Sequence, residues 1–255
     1  MVKINSNFNN LKKDYLFVDM RKKLDAYQKQ NPNSKIIKLG IGDVTLPICP
    51  VIIEAMHSAV DEMAAAETFK GYGPNEGYDF LREAISDHYK KFGVTICKDE
   101  VYISDGSKND SANLQDIFST DGNVLILDPT YPAYVDASTM SGRKICYVNA
   151  TQENNFLPLP DPQIEASLIY LCSPNNPTGS TYNKEQLKKW VDYAIQNQAI
   201  ILFDTAYQSF IEHKDLPHSI FEVEGAENCA IELCSFSKSA GFTGLRCAYI
   251  VIPSE

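Results

Sequence analysis

The sequence predicts an α/β fold: three layers built around a mostly parallel, seven-stranded sheet. Two patterns carry this reading. Seven short β-rich runs lie at residues 101–103, 124–127, 145–148, 168–171, 200–203, 230–233 and 248–251, each bounded by turn residues. Segments with helical spacing alternate with them, and continuous apolar runs in that setting signify strands buried on both faces. Composition agrees, since 44% hydrophobic and 22% charged residues in a chain of 255 suffice to offset the entropy of ordering it.

In chain order, residues 11–30 form a basic amphipathic stretch that predicts a helix, closed by the turn cluster Asn31-Pro32-Asn33-Ser34. An extended segment over 35–39 follows. Pro50 opens a second helix, with Val51, Ala55, Met56, Ala59, Val60 and Met63 on one stripe. A third carries Leu81, Ala84, Ile85, His88, Tyr89 and Phe92. The clearest pattern is Leu187, Trp190, Val191, Ala194 and Ile195 at i, i+3, i+4, i+7 and i+8, with Asn183 and Gln186 spaced as a capping box. No repeat or low-complexity linker divides the chain.

A net charge of −10 repels nucleic-acid phosphates and acidic lipid, so neither partner is expected. The apolar runs fall far short of the roughly 20 residues a bilayer span needs. The polar N-terminal stretch has no secretory h-region, and a cytoplasmic setting is the expectation. Seven scattered cysteines without a C-x-x-C pair read as buried thiols in a reducing compartment. His57, His88, His213 and His218 lack ligand spacing, so no metal site is expected.

In parallel sheets, ligands bind beyond the carboxyl ends of the strands. There the sequence places SDGSK at 104–108, DPTYP at 128–132, SPNNPTG at 173–179, DTAY at 204–207 and SFSKSAGFTGLR at 235–246. The last is rich in hydroxyls and glycines and ends on Arg246, which suits a bound phosphate. It is not a Walker loop, because Lys238 precedes its glycines. Gly40-Ile41-Gly42 lacks the third glycine of a dinucleotide fingerprint, and no G-x-S-x-G elbow occurs. A desolvated lysine beside a phosphate cluster is what Schiff-base chemistry requires. Asp204, at the end of an apolar run, needs a cationic partner, either a protonated pyridine nitrogen or an internal Arg or Lys.

Together SPNNPTG, DTAY and SFSKSAGFTGLR resemble the fold type I, pyridoxal-phosphate-dependent aminotransferases, with an aspartate aminotransferase-like large domain. Further stretches, among them LGIGDVTLP at 39–47, ETFKGYGPNEGYDFLREAI at 67–85, SDGSKND at 104–110 and LPHSIFEVEGA at 216–226, narrow the resemblance to one branch. It exchanges an amino group between LL-2,6-diaminopimelate and 2-oxoglutarate in lysine biosynthesis. The resemblance implies pyridoxal 5'-phosphate as cofactor, with Lys238 forming its Schiff base and then moving the proton. Asp204 would hold the pyridine nitrogen protonated, and Tyr207 and Asn176 would bind the ring oxygen. Tyr131 would stack on the ring. Ser107, Lys108, Ser235, Ser237 and Arg246 would bind the phosphate, Ser107 also opening a helix through Leu114 and Phe118. Tyr72 would reach the phosphate of a second subunit, which implies a homodimer with shared sites. Tyr15 and Gly42 would contact substrate, as would Tyr72, Lys108, Tyr131 and Asn176.

By the same resemblance, residues 1–40 are an N-terminal arm with part of a small domain, and 41–255 the large cofactor domain. The family's chains continue past this point. The expected consequence is absence of the C-terminal small domain, with the arginine that grips a substrate α-carboxylate. Residues 141–152 are also shorter than usual for the family. Cofactor motifs do not separate this branch from other fold type I aminotransferases, from carbon–sulfur lyases or from a non-catalytic, cofactor-binding fragment.

Overall fold

The computed structural model describes residues 2–11, 16–37 and 43–254. All seven predicted runs are strands: β1 (Val101–Ser104), β2 (Val124–Asp128), β3 (Ile145–Asn149), β4 (Leu168–Cys172), β5 (Ile200–Asp204), β6 (Ala230–Ser235) and β7 (Ala248–Val251). They form one sheet in the order β1-β7-β6-β5-β4-β2-β3. Only β7 is antiparallel to its neighbours, so β1 to β6 point the same way. Their carboxyl ends therefore share one edge. In register, Asp204 lies between Cys172 and Leu233, and Ala248 pairs with both Ser104 and Ser235.

The apolar runs are continuous because both faces of the sheet are covered. Leu125 and Leu127 face one core with Ile169, Ile201 and Phe203, while Val124 and Ile126 face another with Leu168 and Leu202. This alternation is the period-2 geometry of a pleated strand. Helix α6 (Lys184–Asn197) covers the first face through Leu187, Trp190, Val191 and Ala194, all fully buried. Helix α3 (Asp79–Tyr89) packs Ile85 and Tyr89 against Val101, Cys234 and Val251. On the opposite face lie α4 (Ser107–Asn113) and α5 (Pro132–Met140), the latter through Tyr134.

The predicted capping box on α6 is present. The Asn183 side chain accepts from the Gln186 N–H at 2.8 Å, and the Gln186 side chain accepts from the Asn183 N–H at 3.0 Å. The helix expected over 11–30 is α1 (Leu16–Gln30), preceded by a 3-10 turn at Ser6–Asn10. Residues 35–37 form no strand, and the rest of that expected extended segment lies outside the described residues. Helix α2 (Pro50–Glu62) starts at its proline as expected but buries none of its residues. The helix expected from Ser107 through Phe118 is α-helical only to Asn113, then tightens to a 3-10 turn over Leu114–Ile117. Helix α5 was not among the predicted helices.

Candidate active site at the carboxyl edge of the sheet

Residues following five strands, β1, β2, β4, β5 and β6, lie at this edge. Asp204 is the last residue of β5 and is 5% exposed. One carboxyl oxygen accepts from the Tyr134 hydroxyl at 2.6 Å, the other from the Ala206 N–H at 2.9 Å. Among the described residues no lysine or arginine forms an ion pair with it. Of the two partners considered for Asp204, the internal cation is therefore not the one seen. Burial pushes this carboxyl above its ordinary range, and the hydrogen bonds from Tyr134 and Ala206 oppose that shift.

Tyr207 follows Asp204 by three residues and is half-buried. Its hydroxyl accepts from the Asn176 side-chain amide at 3.4 Å, and burial raises its pKa. Lys238 sits in the short helix α7 (Phe236–Ser239), directly after β6, with its Nζ 5.9 Å from the centre of the Tyr207 ring. Both line a cavity of about 520 Å³ that Asp43, Leu46 and Ile48 also line. Tyr131 caps the start of α5 and meets Tyr134 edge-on, 5.6 Å between ring centres.

A second group of residues lies beside the first. The Ser235 hydroxyl accepts from the Ser237 N–H at 3.1 Å, and Arg246 donates to the Ser237 hydroxyl at 3.2 Å. Arg246 itself has a left-handed backbone, φ 59°, an uncommon state for a residue with a side chain. Gly106, just before α4, closes against this guanidinium so tightly that a Cβ there would strike it. This brings Ser107 to the same place, with Lys108 exposed next to it. Hydroxyls and a guanidinium held this way are groups suited to an anion.

The predicted residues thus gather into a cluster with a buried carboxylate, Asp204, and a cluster with a fixed cation, Arg246. Lys238 stands with the first. Tyr72 is fully exposed, as a residue reaching toward a second chain would be. Tyr15 and Gly42 lie outside the described residues. Two buried residues escaped the sequence reading. Tyr134 is one, and its position three residues after Tyr131, on the first turn of a helix, was the available signal. The other is Asp110, which accepts from the Ser104 hydroxyl at 2.6 Å and whose carboxyl burial pushes up to about 6. His88 and His218, expected to be structural, both pack on Phe92.

Comparison with known proteins bears on all of this. Residues 34–255 match the family described as aminotransferase class I and II. The LL-diaminopimelate aminotransferase of Methanosphaera stadtmanae is 51% identical over 267 residues, an alignment covering 100% of this chain and 64% of that protein. Among solved structures, L,L-diaminopimelate aminotransferase from Chlamydomonas reinhardtii superimposes with a TM-score of 0.90 at 40% identity, covering 99% of this chain and 64% of that one. A double mutant of Thermus thermophilus aspartate aminotransferase, at 22% identity and TM-score 0.86 over 99% of this chain and 65% of its own, shares the fold. The chain therefore spans about two thirds of the length of the relatives it matches. With the profile match extending across both residue clusters and the sheet that carries them, the chain belongs to the class I and II aminotransferase family.

Proposed function

We propose that this chain binds pyridoxal 5'-phosphate and carries the cofactor half of an LL-diaminopimelate aminotransferase, acting between LL-2,6-diaminopimelate and 2-oxoglutarate in lysine biosynthesis. Asp204 is the observation that carries the cofactor reading. A carboxylate this buried, with two neutral donors and no cationic partner among the described residues, fits a protonated ring nitrogen. The anion cradle at Ser107, Ser235, Ser237 and Arg246 fits the phosphate of the same molecule, with Lys108 beside it. Substrate identity rests on the relatives from Methanosphaera stadtmanae and Chlamydomonas reinhardtii, both LL-diaminopimelate aminotransferases.

When bound, the cofactor supplies an electron sink for the carbanion formed at the substrate Cα. The chain's residues do the rest. Lys238 would hold the cofactor through its amine and would serve as the general base for the proton at the substrate Cα. Asp204 would keep the ring nitrogen charged. Tyr207 and Asn176, joined to each other, would hold the ring oxygen, and Tyr131 would pack on the ring. Tyr15 and Gly42 are proposed to contact the substrate, along with Tyr72, Lys108, Tyr131 and Asn176.

The proposed assembly is a homodimer in which Tyr72 of one chain reaches the phosphate of the other. Support comes from the full exposure of Tyr72 and from the exposed Val51 and Val60 on α2, apolar surface that a partner would cover. The proposed domain division is an arm and small-domain portion over 1–40 and a cofactor domain over 41–255. The cytoplasm is the proposed setting, in keeping with seven free thiols, although only Cys172, Cys229 and Cys234 are buried as expected while Cys49 and Cys97 are exposed.

Amino transfer to the cofactor in a single turnover tests the substrate. LL-Diaminopimelate should react well ahead of the meso isomer, tyrosine and cystathionine. Equal or faster reaction with any of these would assign another member of the fold, and a cofactor-loaded chain inert to all four would leave a binding unit without turnover.

A further inference from the structure

We propose that Tyr134 is the positioning residue for Asp204: its hydroxyl fixes the direction of the carboxylate and keeps it charged, so that it can receive a cationic ring nitrogen. The proposal rests on the cofactor reading for that last step only. Its geometric basis is independent of any ligand. Tyr134 is 1% exposed, and its hydroxyl lies 2.6 Å from one oxygen of Asp204. Its ring is stacked on Tyr170, 4.6 Å between centres and 13° between planes, and Tyr131 packs edge-on against it. The Tyr170 hydroxyl in turn donates to the Ser111 carbonyl in α4. With two aromatic neighbours holding the ring, the hydroxyl has little room to swing away.

The surroundings explain why this donor matters. Among the described residues, the titratable groups that interact with Asp204 are Tyr134 from α5, Cys172 from β4, Asp110 from α4 and Tyr207 beyond β5. None of them is a cation. Burial favours the neutral carboxyl, and only the Tyr134 hydroxyl and the Ala206 N–H favour the ionised one. Burial drives the Tyr134 hydroxyl far above the ordinary tyrosine range, so it stays protonated and donates to the carboxylate. Removing it leaves one oxygen of a buried carboxylate without a donor, and the neutral form gains.

The test is Tyr134→Phe, which keeps the ring and its stacking, set against Tyr170→Phe, which removes a hydroxyl from the same stack but not the one on Asp204. The Asp204 carboxyl is titrated by ¹³C NMR in the cofactor-free protein, and pyridoxal 5'-phosphate affinity is measured separately. A hydrogen bond to a charged group carries about a 10- to 100-fold effect. Tyr134→Phe should therefore raise the Asp204 titration by about one to two pH units and weaken cofactor binding about 10- to 100-fold. Tyr170→Phe should move neither by more than about twofold. An unchanged Asp204 titration in folded Tyr134→Phe overturns the proposal, as does an equal shift in Tyr170→Phe. If Tyr134→Phe does not fold, 3-fluorotyrosine placed at 134 is a stronger donor of nearly the same shape and should lower the titration; no change there overturns it equally. Absence of cofactor binding by the unsubstituted chain would refute the cofactor reading and leave the titration to decide the role of Tyr134.

Discussion

Asp110→Asn should stabilise the cofactor-free protein at neutral pH. Asp110 is a buried residue of α4 whose carboxyl accepts from Ser104 at 2.6 Å and pairs with no cation among the described residues. Burial is the main reason its carboxyl rises from 3.8 to about 6, with the charges of Asp105 and Asp204 adding to it. A carboxyl raised in the folded state binds more protons folded than unfolded between those two values, so stability falls as pH climbs from about 4 to about 6. At about 1.4 kcal/mol per pH unit the ionised form costs about 3 kcal/mol, which solvent screening at the partly open carboxyl lowers to about 1–2 kcal/mol. Asparagine keeps an acceptor for Ser104 and never ionises. Urea unfolding of both proteins at pH 4 and pH 7.5 should show little difference at the lower pH and a gain of about 1–2 kcal/mol for Asp110→Asn at the higher. Equal differences at both pH values would refute the reasoning, because a pH-independent effect cannot come from the charge.

Asn183→Ala removes the cap that receives the Gln186 N–H and should cost about 1 kcal/mol of stability, read as a lower urea midpoint with an unchanged slope. Leu187→Ala opens a cavity beneath α6, where Leu187 is fully buried against the sheet, and should cost about 2–5 kcal/mol, read in the same way. Gly106→Ala places a methyl against the Arg246 guanidinium and should weaken binding of pyridoxal 5'-phosphate by tenfold or more, while pyridoxal without the phosphate is affected far less; equal loss for both would show that the anion cradle was misassigned.

The sheet was legible because β2, β4 and β5 are buried on both faces and their sequences are apolar without interruption. Helix α6 was legible because one face meets the core and the other meets water, so its apolar residues recur at helical spacing. Helix α5 carries no such stripe. Ala133, Tyr134, Ala137 and Ser138 are its buried residues, and two small residues, a tyrosine and a serine do not form the apolar stripe that marks a helix. The cofactor residues were legible as motifs at strand ends. The Tyr134–Asp204 bond was not, since 70 residues separate its ends and only the placement of β4 between β2 and β5 brings them together. Asp110 stands in the polar string SDGSKND, where nothing local distinguishes a buried carboxylate from a solvated one.

The central claim is that the two residue clusters hold one pyridoxal 5'-phosphate with Lys238 at its reactive carbon. Mixing the chain with the cofactor, reducing with borohydride and mapping the label by peptide mass spectrometry tests this most directly. The account predicts a visible absorbance that reduction abolishes, with the label on Lys238 and lost in Lys238→Ala. A label on another lysine, or no absorbance at saturating cofactor, would contradict it.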